Sequence, residues 1–175
     1  KWSAFTQRDQ KVVATYRVKL DTPWDLGMLR ASLIRVASLV DGIAILFTGN
    51  PNGIHKSPEF KLGDLEHADA KLIASTGDDY PDKVPAIREW VESVVASAGV
   101  DHPMSLAVDY LDPEGRVWNE REERNIGISL AHGLAPDWIW SVDHDEVPED
   151  RITRAHIKRL TRHPDPLVQV WDLGW

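Results

Sequence analysis

The chain has 175 residues, 42% of them hydrophobic and 27% charged, and no cysteine. That length fits one domain with a sizeable core, and the composition excludes disorder, collagen-like repeats, a disulfide scaffold, thiolate zinc sites, thiol nucleophiles and iron–sulfur clusters. A formal net charge of -8 argues against a broad nucleic-acid-binding face, so an anionic ligand here needs a metal ion or a few well-placed Arg side chains.

Val12 to Leu20 mixes β-branched and aromatic residues and reads as a first strand. Thr22-Pro23-Trp24-Asp25 is a capping-box signature with Pro at the first helical position. Leu26, Leu29, Leu33, Val36 and Val40 then trace one apolar helix face, ended by Asp41-Gly42. Ile43 to Thr48 is a continuous apolar run, the mark of a strand covered on both faces. It is also the longest apolar run, too short to cross a membrane. No signal-peptide pattern is visible, and a cytoplasmic location without a transmembrane segment is expected.

Gly49 to Pro85 is rich in Gly, Pro, Asp and Ser and reads as loop with one short helix. Val84, Ile87, Val91, Val94 and Ala98 trace a second helical stripe, closed by Gly99. Ser105 to Leu111 reads as a strand and Asp112-Pro113-Glu114-Gly115 as a turn. A polar helix runs from Asn119 to about Leu130 and stops at His132-Gly133, before a strand over Trp138 to Val142. Pro148 opens a further helix to about Arg162, and Leu167 to Trp171 reads as a last strand.

Strands alternate with helices throughout, which predicts a single α/β domain with a mostly parallel central sheet flanked by helices. Ile43–Thr48 and Trp138–Val142 are expected in the sheet interior. Ligands of such sheets sit beyond the carboxyl ends of the strands, after Leu20, Thr48, Leu111 and Val142.

The strand Trp138–Val142 leads straight into Asp143-His144-Asp145-Glu146. In extended backbone Asp143 and Asp145 point the same way and His144 the other way. Two carboxylates on one side of a strand end repel unless a cation lies between them, and hard oxygen ligands suit Mg²⁺ or Mn²⁺. The competing reading is a solvated acidic turn before a helix whose N-terminus favours Glu149 and Asp150. Arg151, Arg154, Lys158, Arg159 and Arg162 make that helix basic, as a solvated face or a surface for an anionic acceptor or membrane. Trp occurs eight times; most are expected in the core, while exposed ones are flat surfaces for sugars or bases.

The acids follow a helix carrying Arg124-Asn125-Ile126-Gly127, then Ala131 and Asp137. Together these stretches resemble the GT-A-fold glycosyltransferases, especially the large family two, with their Arg-Asn-x-Gly helix and apolar strand ending in Asp-x-Asp-Glu. The likeness spans roughly Val12 to Trp175 and is specific from about Asn119 to Glu146. It implies a Rossmann-like, nucleotide-sugar-binding fold and a hexosyltransferase-like activity that moves a sugar from a nucleotide-diphosphate donor to a glycan, lipid or protein acceptor. Residue by residue, it implies that Asp145 ligates Mn²⁺ or Mg²⁺ bridging the diphosphate. Asp143 then lies near metal and donor ribose, and Arg124, beside Asn125, approaches the donor from its helix.

Two departures stand out. The family ends its second strand with a nucleotide-recognising Asp, where this chain has Thr48-Gly49-Asn50-Pro51-Asn52-Gly53. Thr48 or Asn50 is left to hydrogen-bond the donor, with Asp109 and Asp112 as substitutes. The family's catalytic base lies downstream of the acids, in the acceptor-binding half. The chain begins at Lys1 and stops at Trp175 inside an expected strand, so it reads as a piece of a longer protein that continues with that half. The alternative function is a non-catalytic nucleotide-sugar or carbohydrate-binding module of the same fold.

Overall fold

The computed structural model describes residues 9–49, 67–75, 83–112 and 119–162. In chain order these form β1 (Val12–Val18), α1 (Pro23–Ala37), β2 (Gly42–Thr48), α2 (His67–Ser75), α3 (Lys83–Ser97), β3 (Ser105–Leu111), α4 (Glu120–His132), β4 (Trp138–Asp143) and α5 (Arg154–Thr161). The four strands are all parallel, in the order β3-β2-β1-β4. The predicted α/β architecture is therefore present, as a Rossmann-like sheet flanked by helices.

Local chemistry sets the first crossover. Thr22 is the N-cap of α1 and accepts from the Asp25 amide, while the Asp25 carboxylate accepts from the Thr22 amide at 2.6 Å. Leu29, Leu33 and Val36 of α1 pack with Ile87, Val91 and Val94 of α3 over Tyr16, Ile45 and Phe47. Each fully buried Leu there stabilises the fold by about 2 kcal/mol. On the opposite face the residues are small: Val13 and Ala44 lie under Ala131 of α4, flanked by Ala107 and Ile139. A Cβ on Gly127 of α4 would stand 3.2 Å from Thr15 Oγ1, so glycine lets the helix sit close on β1.

Three expectations are corrected. Among the described residues Trp138–Val142 is not interior, because β4 is the outer strand beside β1, with Ser141 and Asp143 exposed. The first strand ends at Val18 rather than Leu20, where the chain turns into the Thr22 cap. No helix opens at Pro148; α5 starts at Arg154, capped by Thr153 and closed by a capping box with His156. The reason is tertiary. Arg35 of α1 donates to the carbonyls of Pro148 (3.2 Å), Glu149 (2.6 Å) and Ile152, which takes those acceptors away from any helix. Among the described residues of the expected loop over Gly49–Pro85, α2 is the expected short helix. Asn50, the turn after Asp112 and the Leu167–Trp171 strand lie outside the described residues.

A clamp closes the amino end of the sheet. The Asp41 carboxylate accepts from the Val12 amide (2.8 Å), Lys158 Nζ (2.6 Å) and Arg154. Burial acts to raise the Asp41 carboxyl, but hydrogen bonds from Lys158, Val12 and Arg154 outweigh it and hold the group below its ordinary range. The expected solvated face therefore holds only in part: Arg154 and Lys158 bind Asp41, whereas Arg151, Arg159 and Arg162 are exposed, the last pairing with Asp9.

Candidate functional site

The strand order reverses between β1 and β4, and at such a switch point the loops beyond the carboxyl ends diverge and leave a crevice. The register places Arg17 of β1 directly beside Asp143 of β4. On the other side, Arg17 is level with Leu46 of β2, and Leu46 with Asp109 of β3. Arg17, Asp143 and Asp109 therefore share the row and the face covered by α4.

The first turn of α4 completes the cluster. Asn119 caps the helix by accepting from the Glu122 amide. Arg17 reaches Glu123 and Glu120, both at 3.4 Å. Glu123 is buried, so Arg17 offsets a carboxylate that water barely reaches. Glu120 also accepts from Arg124 at 2.9 and 3.1 Å. The Arg124 hydrogen bond and then the Arg17 charge hold the Glu120 carboxyl below its ordinary range. That hydrogen bond, with the charges of Glu120 and Asp143, holds Arg124 more firmly protonated against the effect of desolvation. Between these side chains lies a cavity of about 170 Å³, lined by Thr15, Arg17, Glu123, Arg124, Ser141 and Asp143.

The acidic segment after β4 is a turn, not continued strand. The Glu146 amide donates to the Asp143 carbonyl at 3.0 Å, and the Glu146 carboxylate accepts from the Asp143 amide at 3.2 Å. His144 and Asp145 are the two central residues, so strand alternation does not govern them. His144 goes to α1, with Nε2 3.7 Å from Asp25 Oδ1. The side chains of Asp143 and Asp145 are exposed, and among the described residues neither accepts a hydrogen bond or forms an ion pair.

This donor set fits a hard divalent cation in one respect: two exposed carboxylates without a hydrogen-bond donor among the described residues stand within one turn, Asp143 feeling the charge of Arg124. Among the described residues no three or more His, Asp or Glu side chains gather as a metal site. A cation on Asp143 and Asp145 would need diphosphate oxygens and water to fill its shell.

The other expected donor contacts divide. Arg124 lines the crevice together with Asp143. Asn125 does not; it lines a shallow groove on the outer side of α4 with Asn119, Arg121 and Glu122. Thr48 is buried at the carboxyl end of β2, and its Oγ1 has no hydrogen-bond partner among the described residues. Asp109 is exposed and accepts from the Tyr110 amide at 2.8 Å. It lies two strands from Arg17, about 10 Å at ordinary strand spacing, outside the crevice lining. Sequence reasoning missed Arg17 and Glu123. The signal was an arginine inside an otherwise apolar strand, Val12-Val13-Ala14-Thr15-Tyr16-Arg17-Val18, which requires a nearby anion.

Comparison with protein-family models, with curated proteins and with solved structures finds no match for this chain.

Proposed function

We propose that the chain is the donor-binding domain of a metal-dependent glycosyltransferase acting on a nucleotide-diphosphate sugar in the cytoplasm. The observation that carries this reading is the convergence of Arg124, from α4, and Asp143, from β4, on one crevice at the β1/β4 switch point. Arg124 offers guanidinium donors to the diphosphate, and Glu120 fixes the direction of those donors. The Asp143 and Asp145 carboxylates hold Mn²⁺ or Mg²⁺. When bound, that ion supplies Lewis-acid stabilisation of the negative charge that grows on the nucleoside diphosphate leaving group. The acceptor, whether glycan, lipid or protein, enters from the open side of the turn.

A panel of nucleotide sugars, each with and without Mn²⁺, tests the reading through thermal stabilisation. Stabilisation by one donor that depends on Mn²⁺ supports it. A panel in which no donor shifts the melting temperature with metal overturns it.

One observation favours a second reading, a non-catalytic carbohydrate-binding module. Trp24, in the first turn of α1, is 61% exposed, and a solvent-facing indole is a ready platform for a sugar ring. Sugar transfer or donor hydrolysis separates the two, because only the first reading predicts turnover.

A further inference from the structure

Ser32 sits in the middle of α1 and is fully buried. Serine is a poorer helix interior residue than alanine, because its hydroxyl competes for backbone groups. Here the hydroxyl instead leaves the helix. Its Oγ donates to the Glu146 carbonyl at 2.5 Å and lies 3.0 Å from the Tyr16 hydroxyl. A serine hydroxyl has one proton, and Glu146 takes it, so Tyr16 O–H donates to Ser32. Tyr16 is fully buried, and burial pushes its phenol far above the ordinary range, so it remains a donor at any working pH.

This relay ends on the residue that closes the acidic turn. Glu146 is bonded to Asp143 through both its amide and its carboxylate. Fixing the Glu146 carbonyl from inside the core therefore fixes the path of the chain through His144 and Asp145. Two further contacts hold the same segment to α1. Asp25 meets His144 at the start of the helix, and Arg35, one turn beyond Ser32, holds the carbonyls of Pro148, Glu149 and Ile152.

We propose that Ser32 is a positioning residue, which holds the Asp143–Glu146 turn in the shape in which the Asp143 and Asp145 carboxylates take a divalent cation. The inference rests on the metal-dependent reading above. Ser32 itself touches neither metal nor donor and acts through the geometry of the turn.

The test is Mn²⁺ titration of the full chain, followed by the electron paramagnetic resonance signal of free Mn²⁺, beside the melting temperature without metal. Four proteins are compared: the parent, Ser32→Ala, Ser32→Cys and Tyr16→Phe. Ser32→Ala loses the donor to Glu146 and is expected to bind Mn²⁺ about tenfold more weakly, the low end of the loss for direct partners of metal ligands, because Ser32 acts on the turn only through Glu146. Ser32→Cys keeps the volume with a poorer donor and is expected to fall between Ser32→Ala and the parent. Tyr16→Phe removes only the Tyr16–Ser32 bond. It is expected to melt lower than the parent yet keep Mn²⁺ affinity within about twofold, because Ser32 still holds Glu146. Equal Mn²⁺ affinity of parent and Ser32→Ala overturns the inference. So does a loss of affinity that follows melting temperature across all three variants. A parent that takes up no Mn²⁺ overturns the functional reading itself, and is told apart by that protein alone.

Discussion

Removing the positive charge of Arg17 tests whether the crevice is held together by a buried ion pair. The side chain of Glu123 is 7% exposed and that of Arg17 24%, with 3.4 Å between them. Arg17→Met keeps the apolar stem that packs in β1 but strips Glu123 of this partner. Deleting one member of a buried pair costs about 3–5 kcal/mol. Arg17 is partly solvated and the contact is long, so the cost falls at or below the lower end of that range, about 2–3 kcal/mol. In a chain of this size that corresponds to a melting temperature about 5–10 °C lower. The assay is urea unfolding followed by tryptophan fluorescence at neutral pH, on the parent, Arg17→Met, Glu123→Gln and the double variant. Because the two side chains are in contact, their effects are expected not to add. The double variant should recover more than half of the loss seen in Arg17→Met. Strict additivity, or an Arg17→Met protein that unfolds at the parent's urea concentration, would refute the assignment of Arg17 and Glu123 as one unit.

Asp145→Asn keeps the size of the side chain but removes a charged oxygen ligand, so Mn²⁺-dependent donor binding is expected to be lost. Its melting temperature without metal should stay equal or rise, since carboxylate repulsion in the turn is relieved; equal metal-dependent donor affinity in both proteins would falsify Asp145 as a ligand. The Asp41 carboxyl is held below its ordinary value, so its stabilisation is complete above the unfolded carboxylate value of about 4 and is lost as pH falls through the folded value. Asp41→Asn should therefore be less stable than the parent at pH 7, with the gap in urea midpoint narrowing below about pH 4; a gap independent of pH contradicts the clamp. Trp24→Ala should change stability by less than about 0.5 kcal/mol, because the indole is largely outside the core. Unchanged retention of that variant on immobilised oligosaccharides removes the carbohydrate-module reading.

The sheet was legible in the sequence wherever a signal was local. Ser105–Leu111 is a strand over the predicted residues, and Thr22 with Asp25 forms the predicted capping box. The errors arise where a partner distant in sequence decides. Pro148-Glu149-Asp150 looks like a helix start by itself, yet Arg35, more than a hundred residues earlier, binds the carbonyls such a helix would use. Alternation assigned Asp143 and Asp145 to one side of a strand, but Glu146 turns the chain back on Asp143. Arg124 and Asp143 were found through a motif and do meet at the crevice. Arg17 and Glu123 carry no motif; what joins them is the seating of α4 on β1, which Gly127 permits.

The strand order also dictates when this site can exist during folding. β1 lies at the centre of the described sheet, and its first neighbour, β2, follows after a single helix, so that unit closes a short loop. Its second neighbour is β4, and Val12 must wait for Trp138 to arrive before they pair. Long-range parallel pairing is slow, because the entropy of a long loop is lost before any contact forms. On a ribosome the Arg17 edge of β1 is thus made early and left open while the chain from Gly49 to Asp143 emerges. Until β4 docks, that edge is a bare row of backbone donors and acceptors, a place where another strand can add wrongly. The docking of β4 both covers this edge and brings Asp143 to Arg17. Completing the site and covering this edge of β1 are one event.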